Sequence, residues 1–325
     1  MRIKRFVQVN IVLSILLLSL LYGLSWVYVN YVNDRTVKFM EYNKLPDNSV
    51  DLVVLGSSHG KFGIKVDKPN QMNLALEQQG IYYSLKLLEK YQNKIKDGAT
   101  IIFPISIFTF NEGKIDSDMS KDEVYKNYIN LLNKKEIRKP LNISQYFLMN
   151  KFAVIYPPSR LVTTLNWGIS CIKEGRIIKN KIIYNSGEKN KKLFERQAKK
   201  AVKGYEKQLE NEDYIYSLKI SKELLEKMNE KNLKLIVILV PLSKEYNEAM
   251  ELSKEKIFEK AVYDNIEKLK KISLNKLIFL DYSKDGRFQN NIEYFMDDDH
   301  LNEKGAEYFT DILLKDIDER IKKNE

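Results

Sequence analysis

Ser57, Ser58 and His59 close off the apolar run in "DLVVLGSSHGKFG" (51–63), and Asp297, Asp298, Asp299 and His300 follow each other in "YFMDDDHLNEKG" near the far end of the chain. These residues are the ones whose types allow nucleophilic chemistry. A serine hydroxyl needs a general base, and the base needs a group that orients it. Only two histidines are present in 325 residues. His59 directly follows Ser58, so its side chain points elsewhere along the backbone and is a poor base for that hydroxyl. His300 remains. Asp297 is close enough before it to hold one imidazole nitrogen and leave the other facing outward.

Two rival chemistries are weaker. "GSSHGK" suggests a phosphate-binding loop, but such a loop has four residues between its glycines and a Ser or Thr after the lysine. Here Ser57, Ser58 and His59 alone separate Gly56 from Gly60, and Phe62 follows Lys61. "DDDH" offers carboxylates and an imidazole to a metal. With two histidines and one cysteine available, Asp298 and Asp299 read better as a solvated loop. No metal and no cofactor is expected. Asp281, ending "KLIFLD", reads as a structural carboxylate at a strand end, and Cys171 as a lone buried thiol with no disulfide partner.

The elements that must position Ser58 and His300 show in the hydrophobic pattern. Val50–Leu55 is short, branched and bounded by Pro46 and Gly56, which predicts a buried strand. "ATIIFPISIF" (99–108), "LKLIVILVPLS" (233–243) and "KLIFLDYS" (276–283) predict three more, and Met72–Leu74 a short fifth. Helical spacing covers 81–95, 213–231 and 246–272. Near-continuous apolar strands alternating with amphipathic helices predict a parallel sheet covered on both faces. Ligand chemistry in such sheets sits at the C-terminal strand ends, where Ser58 falls. A long insertion, about 113–212, separates the second and third of these four strands. It holds a capping-box spacing at Ser120–Glu123, an apolar stretch at 141–170 broken by Pro157 and Pro158, and a Lys/Glu-rich helical stretch at 188–212. It can pack on the sheet, cover the active site, lie against a bilayer or dock a membrane partner.

"MRIKR" precedes a mostly apolar run to about Val32, long enough at 1.5 Å per residue to cross a bilayer core of roughly 30 Å. Gly23-Leu24-Ser25 is a weak cleavage signal, and an uncleaved anchor is the better reading. Trp26, Tyr28 and Tyr31 lie where interfacial aromatics belong. Arg2, Lys4 and Arg5 leave the N-terminus in the cytoplasm and everything after about residue 33 outside. The expected organisation is an anchor, 1–33, and an extracytoplasmic domain, 34–325. The net charge of +10, from 54 Lys plus Arg against 44 Asp plus Glu, is spread along helical faces. No arginine-rich patch with interleaved aromatics stands out, so nucleic acid is not an expected partner.

Gly56-Ser57-Ser58 after the first strand and Asp297-x-x-His300 before the last helix, in that order, resemble the SGNH (GDSL-like) hydrolase and acyltransferase superfamily. The two blocks bracket the whole soluble part of the chain. The resemblance implies a three-layer, flavodoxin-like parallel sheet and a triad of Ser58, His300 and Asp297. It implies an oxyanion hole from the backbone N–H of Ser58 and of Ala75 in "MNLALEQQG". The departures are Ser57 in place of the usual aspartate, and "FPISIFTF" in place of the block that supplies an asparagine. Asn73 or Ser106 is the available substitute donor. Membrane-anchored members of this superfamily D-alanylate teichoic acids or O-acetylate exopolysaccharides and peptidoglycan, commonly with a multispanning membrane-bound O-acyltransferase. The implied activity is therefore acyl transfer to a glycopolymer through an acyl-serine. An esterase acting on envelope polymers or lipid esters, and a non-catalytic assembly factor, are the alternatives.

Overall fold

The computed structural model describes residues 2–106, 109, 128–137, 143–155, 158–178, 190–209, 214–253, 262–273 and 277–324. The capping-box reading at Ser120–Glu123 and the break at Pro157 lie outside these residues. Along the chain run α1 (Arg2–Val27), a π-helical turn (Tyr28–Val32), α2 (Asp34–Asn43), β1 (Val50–Val54), α3 (Ser58–Gly63), β2 (Gln71–Asn73), α4 (Ile81–Tyr91) and β3 (Ile95–Pro104). There follow α5 (Ile143–Lys151), α6 (Ser159–Glu174), α7 (Lys191–Leu209), α8 (Tyr214–Glu230) and β4 (Lys234–Leu239). The chain ends with α9 (Lys244–Glu251), α10 (Asp264–Ile272), β5 (Ile278–Asp281), α11 (Gly286–Gln289) and α12 (Glu303–Asn324). Two compact units form: residues 1–44 with 119–182, and residues 45–118 with 183–325. Much of the stretch read as an insertion into the second domain thus groups with the N-terminal segment.

In the first unit, α1 continues into the π-helical turn as one apolar segment, Ile3–Val32. Its most apolar 18-residue window has a mean hydropathy of 2.1, and none of that window is buried. By length and composition this helix can cross a membrane. Asn33 stops it and caps α2, its side chain accepting the Arg35 N–H at 3.2 Å. A small core of Tyr28, Val32, Ala153 and Val154 joins the end of the long helix to α6. Cys171 is half-buried in α6, and the Ile178 N–H points at its sulfur from 3.4 Å.

The second unit is built on a sheet of five strands, all parallel, in the order β2-β1-β3-β4-β5. Adjacent residues facing opposite sides are equally buried: Val53 with Val54, Ile101 with Ile102, and Ile236 with Val237. Both faces are therefore covered, which is why these strands do not alternate with polar residues. Val54, Ile102, Ile236 and Leu280 pack on one face with Phe309 and Leu313 of α12. Burial of each such side chain is worth about 1.5–3 kcal/mol. Across the C-terminal half of the sheet, Val54 stands opposite Asn73 on one side and Ile102 on the other. These matched strand ends set the level of the site.

Boundaries moved where local chemistry outweighed the apolar pattern. β3 starts at Ile95, ahead of the apolar run, and bulges against β1 near Gly98, whose φ is +75°. It stops at Pro104, which has no N–H to continue a ladder. β4 stops at Leu239, because the next residues lead to Ser243, whose side chain caps α9 by accepting the Tyr246 N–H. The helix expected over 246–272 is represented by α9 and α10, with 254–261 outside the described residues.

Candidate active site

At the C-terminal end of β1 the chain must turn sharply from strand to helix. Gly56 makes the turn with φ +96°, and a Cβ there would stand 2.5 Å from the Pro104 carbonyl oxygen. A side chain is thus excluded by both backbone conformation and space. Ser58 then opens α3. As the first helical residue, it has an N–H without an intrahelical acceptor. Gly60 keeps α3 tight on the sheet, since a Cβ would meet the Leu55 carbonyl at 2.7 Å and Ala75 at 2.9 Å.

His300 arrives on a loop held from three directions. Phe295 and Leu301 pair as an antiparallel bridge, with the Met296 N–H donating to the His300 carbonyl at 3.0 Å. Ser243, beyond β4, donates its hydroxyl to the Asp298 carbonyl at 2.6 Å. Asn302 accepts the Gly305 N–H at 3.0 Å, which starts α12. Within the loop, Asp297 Oδ1 accepts the N–H groups of Asp299 and His300 at 3.2 and 2.8 Å. The Asp297 carboxylate is thereby fixed beside the ring.

The structure brings Ser58, His300 and Asp297 together. Ser58 Oγ lies 2.7 Å from His300 Nε2, and His300 Nδ1 lies 3.0 and 3.1 Å from the two Asp297 oxygens. Asp299, read from the sequence as part of a solvated loop, is instead a second carboxylate at the same nitrogen, with Oδ1 at 2.8 Å. His59 is not bonded to Ser58. Its ring stacks on His300, centroids 4.9 Å apart, and Nε2 stands 3.6 Å from Asp299 Oδ2. Both His59 nitrogens are buried without a hydrogen-bond partner. Phe62 meets the His300 ring edge-on at 5.9 Å. No sequence signal marked these supports. Asp299 is one of three consecutive aspartates, and His59 reads as the wrong neighbour of Ser58.

The expected oxyanion donors need correction. The Ala75 N–H donates to Asn73 Oδ1 at 3.0 Å, and Asn73 Nδ2 donates to the carbonyls of Gly60 and Ile64 at 2.9 and 3.3 Å. Asn73 is buried and acts as a clamp holding α3 to the end of β2. The Ser106 N–H is likewise engaged, with Thr109 Oγ1 at 2.8 Å. Among the described residues the Ala75 and Ser106 N–H groups are thus committed, whereas the Ser58 N–H stands at a helix start. Asp281 takes the structural role expected of it, accepting from the Ser283 N–H and hydroxyl at 2.9 and 2.7 Å.

Burial works against a charge on His300, but Asp299 and Asp297 outweigh it and hold the imidazole pKa well above its usual value. Asp299 is half-buried, and the facing imidazolium outweighs that desolvation and holds its carboxyl well below the usual range. Asp298 moves the other way, pushed up to about 7 by burial and then by its two aspartate neighbours. The His300–Asp299 pair contributes its full stabilisation between the free carboxyl value of about 3.9 and the free imidazole value of about 6.5. That contribution is lost as pH rises through the raised His300 value. His59, Asp299 and His300 offer ligand atoms within 4.8 Å of one another, as do Asp297, Asp298 and Asp299. A cation there would compete with the His300 ring for Asp299, whose Oδ1 lies 2.8 Å from Nδ1.

Neither a protein-family model nor a curated protein sequence matches this chain.

Proposed function

We propose that the chain is a membrane-anchored serine acyltransferase of SGNH type, working outside the cell membrane on a hydroxyl of an envelope or exported glycopolymer. One observation carries this reading: a strand-end serine hydroxyl 2.7 Å from an imidazole whose other nitrogen is held by carboxylates. That array activates a hydroxyl and has no evident structural purpose. In the first step Ser58 Oγ bonds to the acyl carbonyl carbon while its proton passes to His300 Nε2. The leaving group departs with that proton and the acyl-serine remains. In the second step an acceptor hydroxyl gives its proton to Nε2, attacks the ester carbon and releases Ser58, which takes the proton back. Asp297 and Asp299 stabilise the imidazolium formed in each step.

The basic residues before the apolar helix support an outward-facing domain under the positive-inside rule. The acceptor class, and a multispanning O-acyltransferase that hands over the acyl group, rest on the resemblance to anchored members of that superfamily. The test is the intact mass of the full chain in detergent after reaction with a fluorophosphonate or an activated ester. One adduct is expected, and Ser58→Ala should abolish it. A chain that takes no adduct, or an adduct that survives Ser58→Ala, would overturn the assignment.

A further inference from the structure

Outside the site, the most telling surface is on α6 (Ser159–Glu174), in the unit made of residues 1–44 and 119–182. At 100° per residue this helix has three sides. One carries Arg160 and Thr164, both buried, with Leu161 and Trp167 packed on the end of the long apolar helix. A second carries Thr163, Asn166 and Ser170, all exposed and polar. The third is a stripe of Val162, Leu165, Ile169 and Ile172, which are 58%, 51%, 52% and 82% exposed. Single exposed apolar residues need no explanation. Four on one stripe of one helix mark a surface that something covers.

We propose that α6 is an interfacial helix, its Val162–Leu165–Ile169–Ile172 stripe immersed in the acyl chains of the leaflet from which α1 emerges. Continuity identifies the occupant. With α1 as the anchor proposed above, lipid covers its exposed apolar window, and α6 is docked on that same helix around Tyr28 and Val32. Depth agrees. About 20 residues cross the hydrocarbon, so a span begun near Phe6 ends near Ser25. There the Val154 N–H donates to Ser25 Oγ at 3.2 Å, fastening the segment before α6 at the level where hydrocarbon gives way to headgroups. The side chains at this level belong to such a boundary. Tyr31 meets Trp26 edge-on at 5.7 Å and stacks on Trp167 at 5.9 Å, an aromatic group of the kind that sits at interfaces. Beside it Asn30, Asn150 and Lys151 line a cleft of about 250 Å³, polar groups at headgroup depth. A helix with an apolar stripe next to a polar side is the pattern of interfacial anchoring.

The test uses the full chain carrying Cys171→Ser, which keeps an acceptor for the Ile178 N–H. Single cysteines are introduced by Leu165→Cys, Ile169→Cys or Ile172→Cys on the stripe, and by Thr163→Cys, Asn166→Cys or Ser170→Cys on the polar side. All six positions are exposed, so the packing of α6 is not disturbed. Each is labelled with a polarity-sensitive fluorophore in liposomes of phosphatidylcholine and phosphatidylglycerol that hold no other protein. The stripe labels should emit at shorter wavelength and be quenched several-fold more strongly than the polar-side labels by lipid spin-labelled high on its acyl chain. Stripe labels that emit as in water would overturn the proposal and show a surface awaiting a protein partner. Stripe labels that shift without lipid quenching, and crosslink between chains, would overturn it in favour of a second copy.

Discussion

The two sides of Ser58 are built differently. On the side of His300 charge is in excess: two carboxylates reach Nδ1 where one would orient it, and a second imidazole stacks on the first. Among the expected oxyanion donors, by contrast, Asn73 spends its amide on the Gly60 and Ile64 carbonyls, and the Ala75 N–H is spent on Asn73 Oδ1. A missing oxyanion donor is worth about 10²–10³ in rate. On the proposed reading, the site has a firmly held base and a thin oxyanion hole, left to the Ser58 N–H and to the substrate. Such a site suits a reactive acyl donor, whose carbonyl needs less help, better than it suits a stable ester.

The largest effect should come from removing the base. His300→Ala should lower kcat/KM for acyl transfer by about 10²–10⁴, because His59 stacks on His300 and makes no bond to Ser58. Asp297→Asn should cost less, since Asp299 still lies at Nδ1 to stabilise the imidazolium. Steady-state kinetics of both variants check this. Equal losses would mean that Asp299 cannot substitute, and the surplus of charge on this side would have no catalytic value.

Asn73→Ala probes the other side. It leaves the Gly60 and Ile64 carbonyls and the Ala75 N–H without their partner, so denaturant unfolding should show a loss of about 3 kcal/mol. The activity of the molecules that remain folded should change little. A fall in kcat without loss of stability would restore Asn73 as an oxyanion donor and end the contrast drawn here.

A third test sharpens the base side through pH. His300 must lose its proton before it can accept one from Ser58, and its raised pKa places that loss on the alkaline side of the usual imidazole value. Activity should therefore climb with pH through the raised value. Asp299→Asn removes the largest charge holding the proton on, so the rising limb should move to lower pH. It should also reduce the part of stability that fades as pH rises through the His300 value, leaving the share held by Asp297. An unmoved limb would mean that Asp299 does not act on the ring.

The strands, the parallel sheet and the pairing of Ser58 with His300 were legible in the sequence for simple physical reasons. Doubly buried strands cannot hide their apolar runs, and two histidines leave little choice of base. What was not legible depends on loop geometry that has no period. Asp297, Asp298 and Asp299 are adjacent and chemically identical. Which of them face the imidazole is decided by an Asx turn and by the tie from Ser243 to the Asp298 carbonyl. A motif carried over from a family locates Ala75 in the chain but not the direction of its N–H. α3 escaped notice because six residues with two glycines show no helical periodicity.

The smallest effect is expected one residue from Ser58. Ser57 occupies the place where the resembling family carries an aspartate, so a role in the chemistry is the natural suspicion. Its surroundings argue otherwise. Ser57 Oγ is buried with no hydrogen-bond partner, and although the residue is the N-cap of α3 its side chain makes no capping bond. A hydroxyl desolvated without compensation is a liability of about 1–3 kcal/mol, partly offset by the packing of the small side chain. Ser57→Ala should therefore leave stability unchanged or raise it by up to about 1 kcal/mol, with kcat/KM within about twofold of the parent. Thermal unfolding and kinetics on one preparation read both. Should Ser57→Ala be inactive while Ser58→Ala still turns over, the nucleophile is Ser57, and both sides of the site would have to be redrawn around a different oxygen.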